Sequence, residues 1–330
     1  MDGSRSPDIS PEPVGFIGEL DDPWIAAVAD AIAAGRTVHR LDCAGALPER
    51  PFAEASPPPR TVVIHRHHLT DGDAAQLDAW RARSRETRLR LVLCVSPYVR
   101  YAELERWSPL VDMVVSEAIA AEVLPGRLAR WLDGSARIGT RTRAQISSFR
   151  IEIAGGDGEL GRALVEACRA AGYSAQDVDD AEIGGLPGPA SKRDRSAPSS
   201  SRILTVWEVP VLEPVWPQRL EWRVARTGPV IALAGFADRD VVARAHKAGA
   251  VACLELPCDT DDLVDAVDRA VALTPAEAWP IPPRLELPHA FPPPRRKARQ
   301  PRRHPQHGMA VAPSTWSDRG AGPTIPTNGR

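Results

Sequence analysis

The sequence is short of sulfur and aromatic rings and has no long apolar run. Five Cys, three Met, five Phe and three Tyr are spread over 330 residues, and aromatic residues total 5%. Five cysteines cannot all pair, and Cys94, Cys168 and Cys253 fall on predicted core faces, where a thiol acts as a small hydrophobe. Cys253 and Cys258 make half a metal site at most, because no second close pair or neighbouring histidine completes the four ligands of a closed zinc site. No apolar stretch approaches the roughly 20 residues that span a bilayer. The acidic, proline-bearing segment Met1 to Pro13 lacks the basic start and apolar centre of a signal peptide. These absences predict a cytoplasmic chain with no membrane partner.

The chain does have proline, 33 residues of it, and a strongly divided charge. Residues 274–330 hold 13 prolines and nine Lys or Arg against three Asp or Glu, so this segment stands at +6 while the rest of the chain stands at −8. Its basic run, Arg295, Arg296, Lys297, Arg299, Arg302 and Arg303, is interrupted by proline and has no apolar period, which predicts a disordered or extended tail. Such a tail suits contact with a polyanion, docking of prolines into a partner's groove, or plain solvation. A second low-complexity stretch runs from Gly184 to Ser201. The remaining length and 43% hydrophobic residues are enough for two modest cores.

Periodicity is clearest in residues 229–272. Val230 to Ala234 is a short apolar run bounded by Pro229 and Gly235, and Val241, Val242, Ala245 and Ala248 follow at helical spacing until Gly249. A second run, Val251 to Leu256, ends at Pro257, and Leu263, Val267 and Val271 mark a last helix. Strand, helix, strand, helix in this order resembles the second half of a response-regulator receiver domain. The resemblance implies a fold of five parallel strands and a role in passing signals through protein contacts. It also implies that the residues of phosphoryl chemistry are missing. Ala234 stands where the fourth strand would end in a switch hydroxyl, and Leu256 where a Lys would precede the proline. Trp207 and Glu208 follow a third strand, Ile203 to Val206, where the acceptor Asp would lie. After the first strand, Ile151 to Ala154, Gly155, Gly156 and Asp157 replace the acidic pair that would hold Mg²⁺, a hard cation that needs carboxylate oxygens.

Residues 14–134 repeat the pattern. Strands are predicted at Val14 to Ile17, Thr37 to Leu41, Thr61 to Ile64, Leu91 to Val95 and Met113 to Val115, with helices after the first and over Asp71 to Ser84, Arg100 to Trp107 and Ala118 to Leu132. In this copy His65 and Arg66 take the acceptor position, Ser116 and Glu117 take the Lys-Pro position, and Ser96 keeps a hydroxyl. Both copies lack a predicted second helix. The expected architecture is therefore α/β: two tandem doubly wound, flavodoxin-like parallel five-stranded sheets at 14–134 and 150–273. A linker at 135–149, a disordered N-terminus at 1–13 and the disordered tail at 274–330 complete it.

Two motifs compete with this reading. Gly156, Gly158 and Gly161 follow an apolar strand and open a helix, as a dinucleotide-binding turn does, with Asp177 or Asp179 placed to take a ribose. His65 and His67 would share one face of a continued strand, and with Asp71 or Asp73 would supply three metal ligands. Six tryptophans, Trp80, Trp107, Trp131, Trp207, Trp216 and Trp222, suit either a contact surface or core packing. The favoured expectation is a non-catalytic signalling adaptor of a two-component-type pathway, with no cofactor and no metal. It would meet a kinase or response regulator through its fourth and fifth helices and the strand between them. Nucleotide binding through the glycine turn and DNA association through the tail are the alternatives, and no helix-turn-helix follows the second copy.

Overall fold

The computed structural model describes residues 12–68, 70–83, 89–134, 148–156, 158–179 and 202–273. The short apolar runs form strands because helices cover both faces of each sheet. Every residue of β1 (Val14–Gly18) and β3 (Thr61–Arg66) is buried, as strands of a covered parallel sheet require. The N-terminal lobe continues with α1 (Pro23–Ala33), β2 (Val38–Asp42), α2 (Asp71–Arg83), β4 (Arg90–Val95), α3 (Tyr101–Trp107), β5 (Met113–Ser116) and α4 (Ala120–Asp133). The C-terminal lobe has β6 (Phe149–Ala154), α5 (Gly158–Ala170), β7 (Ser174–Val178), β8 (Arg202–Val209) and α6 (Trp216–Thr227). It closes with β9 (Val230–Ala234), α7 (Arg239–Lys247), β10 (Ala252–Glu255) and α8 (Thr260–Leu273).

The first sheet has the order β2-β1-β3-β4-β5 and the second β7-β6-β8-β9-β10, with all neighbours parallel. This is the doubly wound 2-1-3-4-5 order expected of both copies. Residues 43–60 contain no helix, so the N-terminal lobe does lack its second helix. The counterpart at 180–201 lies outside the described residues, as do most of the N-terminus, most of the linker and the whole tail.

Two strands run past their expected ends. β3 continues from Ile64 to Arg66, and β8 does not stop at Val206 but continues to Val209, because Trp207 and Val209 are strong strand formers, Trp207 with partners on both sides and Val209 with one on β9. The register sets Trp207 beside Ala154 and Ala232, and Val209 beside Ala234.

The lobes share a core. One apolar cluster runs from Val14, Ile25 and Val28 through Val123, Leu124 and Leu128 of α4 into Leu254, Leu263 and Val267. Both sheets belong to a single compact unit. Helix α4 contacts α1 on one side and α8 and β10 on the other. Helix α8 is accordingly buried around most of its circumference, at Asp262, Leu263, Val264, Asp265, Ala266 and Val267, as a helix held between a sheet and a second body must be. Each fully buried Val or Leu at this junction contributes about 1.5–3 kcal/mol. A smaller cluster with Ile17, Leu77, Trp80 and Trp107 fills the other face of the first sheet.

Candidate functional site

The carboxyl edge of the N-terminal sheet gathers a buried set of ionisable side chains. β3 delivers His65 and Arg66 at its end, and Gly18 at the end of β1 makes room for them, since a Cβ there would come within 3.1 Å of the His65 Cβ. β5 is followed directly by Glu117, whose backbone nitrogen is tied to Val95 O at 2.7 Å. His65 Nε2 and Glu117 Oε2 lie 2.6 Å apart, and both side chains are buried. Arg66 is occupied elsewhere, donating to the carbonyls of Cys43, His65 and Gly45.

The C-terminal lobe completes this edge. Arg239, the first residue of α7, donates from Nε to Glu117 Oε1 at 2.8 Å and from a terminal nitrogen to Glu117 Oε2 at 3.0 Å. Its other terminal nitrogen donates to Asp22 Oδ2 at 2.6 Å. Asp22 caps α1 by accepting from the Trp24 nitrogen, and the Trp24 indole donates to Glu117 O at 2.9 Å. Burial works to raise the Glu117 carboxyl, but hydrogen bonds from His65 and Arg239 and their charge outweigh it and hold it down to about 2. Burial likewise works against ionised Asp22 and against Arg239, but the hydrogen bond from Arg239 holds Asp22 below its ordinary range, and the hydrogen bonds to Glu117 and then Asp22 hold Arg239 above its own. Ser96, the remaining hydroxyl of this copy, accepts from the Tyr98 nitrogen at 3.3 Å.

The expected third ligand for His65 and His67 is corrected by this geometry. Asp73 faces the other way, accepting from Thr70 Oγ1 at 2.9 Å and from the Leu47 nitrogen, and Asp71 pairs with Arg106. Glu117 stands with the two histidines instead. Among the described residues this is the one cluster of three side chains able to share a metal ion. Cys253 belongs to no such cluster among the described residues, and burial pushes its thiol up to about 12.

The C-terminal edge holds different chemistry. Ala234 is fully buried between β8 and β10 and offers no hydroxyl. Trp207 is fully buried, with the Arg223 guanidinium stacked 4.4 Å from its ring; Glu208 alternates to the opposite face. Leu256 donates its backbone N–H to Ala234 O at 2.8 Å. Its side chain joins Val114, Ser116, Val123, Arg127 and Asp262 around a cavity of about 260 Å³ between the lobes. Gly155 has φ +90°, and a Cβ there would meet Glu208 O at 3.1 Å, so glycine is required. Asp157 lies outside the described residues, as do Arg295, Arg296, Lys297, Arg299, Arg302 and Arg303.

The glycine turn and the acidic residues of β7 do come together. Gly155, Gly156, Asp177, Val178 and Asp179 line a depression of about 410 Å³. Gly161 sits against the Asp177 carboxylate, which would lie 2.8 Å from any Cβ added there. That carboxylate covers the first turn of α5, where a pyrophosphate would have to approach.

The face expected to dock partners is turned inwards. In the C-terminal lobe α7, β10 and α8 occupy the positions of the fourth helix, fifth strand and fifth helix, and α4 of the N-terminal lobe lies on them. Asp262 accepts from Arg127 at 2.5 Å and from Arg130 at 3.0 Å, and Asp265 from Arg130. Gly126 permits the approach, since a Cβ there would collide with the Asp265 carboxylate. Glu122 pairs with His246 at 3.0 Å and with Arg269. Equivalent loops also meet: Tyr98, before α3, donates to Asp238 at 2.6 Å and packs 5.8 Å from Phe236, before α7. Like elements facing like is the arrangement of an isologous interface. The reading of the sequence missed Asp22, Arg239, Asp262 and Asp265. The available signal was the three-residue spacing shared by Arg127 and Arg130 on one helix and by Asp262 and Asp265 on another.

No protein-family model matches the chain, and no curated protein does. Solved structures do resemble it. A response regulator from Thermotoga maritima is 16% identical over 38% of this chain and 98% of its own, with a TM-score of 0.31. A receiver domain protein from Methanospirillum hungatei is 16% identical over 38% of this chain and 95% of its own, with a TM-score of 0.29. A protein described as a two-component response regulator with a GGDEF domain is 12% identical over 79% of this chain and 98% of its own, with a TM-score of 0.32. The architecture rests on the strand order rather than on these low-identity likenesses. With 2-1-3-4-5 order in both sheets, the chain carries two tandem copies of the doubly wound fold that response-regulator receivers share.

Proposed function

We propose that this protein is a non-catalytic signalling adaptor built from two pseudo-receiver lobes. One observation carries the reading: Arg239 of the C-terminal lobe is bound to Glu117 and Asp22 at the sheet edge of the N-terminal lobe. A guanidinium thus lies where a receiver would need its metal and phosphoryl group. His65 and Glu117 there put an imidazole where an acceptor Asp would lie and a carboxylate where its Lys would. In the other lobe Ala234 and Leu256 supply neither a hydroxyl nor a cation. The fold then serves contact rather than group transfer, with a protein of a two-component-type pathway, a kinase or a response regulator, as the partner class. That partner has to use surface outside the α4–α8 junction, such as the exposed Leu212 and Val215 ahead of α6. No described helix is long and apolar enough to cross a membrane.

Incubation with acetyl phosphate and Mg²⁺, followed by peptide mapping, tests this reading. No stable aspartyl phosphate is expected, and Mg²⁺-dependent incorporation at either carboxyl edge would overturn it.

The depression at Gly155, Gly156, Asp177 and Asp179 favours a second reading, nucleotide binding at the switch point of the second sheet. A ligand of the native state raises its melting temperature by mass action. NAD, NADP and ATP at millimolar concentration are expected to leave it unchanged if the turn is structural only. A saturable rise that Gly158→Asp abolishes would promote nucleotide binding, because a side chain at Gly158 meets nothing within 4 Å and the substitution fits the fold.

A further inference from the structure

We propose that His65, His67 and Glu117 form a site for a divalent transition-metal ion of the zinc class. The donor atoms, His65 Nε2, His67 Nδ1 and Glu117 Oε2, lie within 4.8 Å of one another. Glu117 Oε2 is 2.6 Å from His65 Nε2 and 3.6 Å from His67 Nδ1. Tetrahedral zinc with bonds of about 2 Å places its ligands about 3.3 Å apart. The contact with His65 therefore has to open by about 0.7 Å and the contact with His67 to close by about 0.3 Å. The two imidazole rings stand edge to face at 4.7 Å, so they converge without stacking flat on each other.

Donor chemistry selects the ion. Asp22 and Glu117 present two carboxylates to Arg239, and a second guanidinium, Arg66, donates to His65 O at 3.0 Å. Imidazole donors favour zinc, copper or nickel over magnesium, so the ion differs in kind from the oxygen-bound cation of an active receiver. His65 and Glu117 are buried while the His67 side chain is 40% exposed, which closes two sides of the site and leaves an entry path on the third. Arg239 keeps Glu117 oriented through Oε1, as outer-shell partners orient metal ligands, and its second contact, with the donor atom Oε2 at 3.0 Å, has to lengthen when an ion binds. Because Arg239 belongs to the other lobe, an ion held here tightens the junction between lobes.

Calorimetric titration of the full-length protein with Zn²⁺ tests the site, with Co²⁺ absorption reporting its geometry. One ion per chain is expected, with affinity reduced at least tenfold in His67→Ala. Affinity should be unchanged in His68→Ala and in the tail variant His304→Ala/His307→Ala. The melting temperature of each variant without metal shows that it is folded. In the parent protein, Zn²⁺ should move the imidazole NMR signals of His65 and His67 alone, which tests the site even if His67→Ala unfolds. Absence of saturable Zn²⁺ binding, binding that survives His67→Ala, or binding lost only with the tail histidines would overturn the proposal.

Discussion

Arg239 and Glu117 sit on different lobes, 122 positions apart in sequence, and are joined by two hydrogen bonds of 2.8 and 3.0 Å. The guanidinium also holds Asp22, so one side chain closes the sheet edge of the other lobe.

Removing it should be costly. Arg239→Ala leaves the Glu117 carboxylate buried with only the imidazoles of His65 and His67 beside it, and Asp22 with a lost charge partner. Stripping one member of a buried ion pair costs about 3–5 kcal/mol, and the partial exposure of Arg239 lowers the expectation to about 2–3 kcal/mol in urea unfolding. Arg239→Lys should restore only part of this, because a point charge cannot fork between two carboxylates. A loss under about 0.5 kcal/mol would place the pair among ordinary surface bridges.

The α4–α8 junction leads to a second expectation. Since one apolar cluster passes through both lobes, the protein should unfold in a single cooperative transition. Asp262 is buried and accepts from both Arg127 and Arg130, so Asp262→Ala should lower the midpoint. A double-mutant cycle with Arg127→Ala should give a coupling above about 1 kcal/mol. Two well-separated transitions in the parent protein would show that the lobes fold independently.

The third expectation concerns pH. The hydrogen bond to Glu122 raises the His246 pKa above 6.5, against burial, with the Glu122 charge and Ala250 O adding to the rise. The folded state therefore binds this proton more tightly than the unfolded chain. The resulting stability is complete below pH 6.5 and fades as pH rises through the higher folded value. Unfolding measured from pH 6 to 9 should show this decline, and His246→Gln should remove it. An unchanged slope in the variant would assign the decline to other groups.

Local signals went far in this chain. The apolar runs at Val230 to Ala234 and Val251 to Leu256, and the helical spacing of Val241, Val242 and Ala245 between them, announced a parallel α/β fold, and strands stand at Val230–Ala234 and Ala252–Glu255. Period and punctuation depend on neighbours a few residues apart, which a linear reading can count. That Ala234 carries no hydroxyl and Leu256 no charge was equally visible, because side-chain chemistry needs no partner to be read. Tertiary structure decided the rest. Asp71 and Asp73 were the acids near His65 in the sequence, whereas Glu117 lies 52 positions away and only the crossover from β4 to β5 brings it to the end of β3. Leu263, Val267 and Val271 defined an inner face for α8 correctly. That Asp262 and Asp265 face a second buried surface followed from where α4 lies. Chain period determines which way a side chain points, whereas its partner depends on the packing of segments more than a hundred residues away.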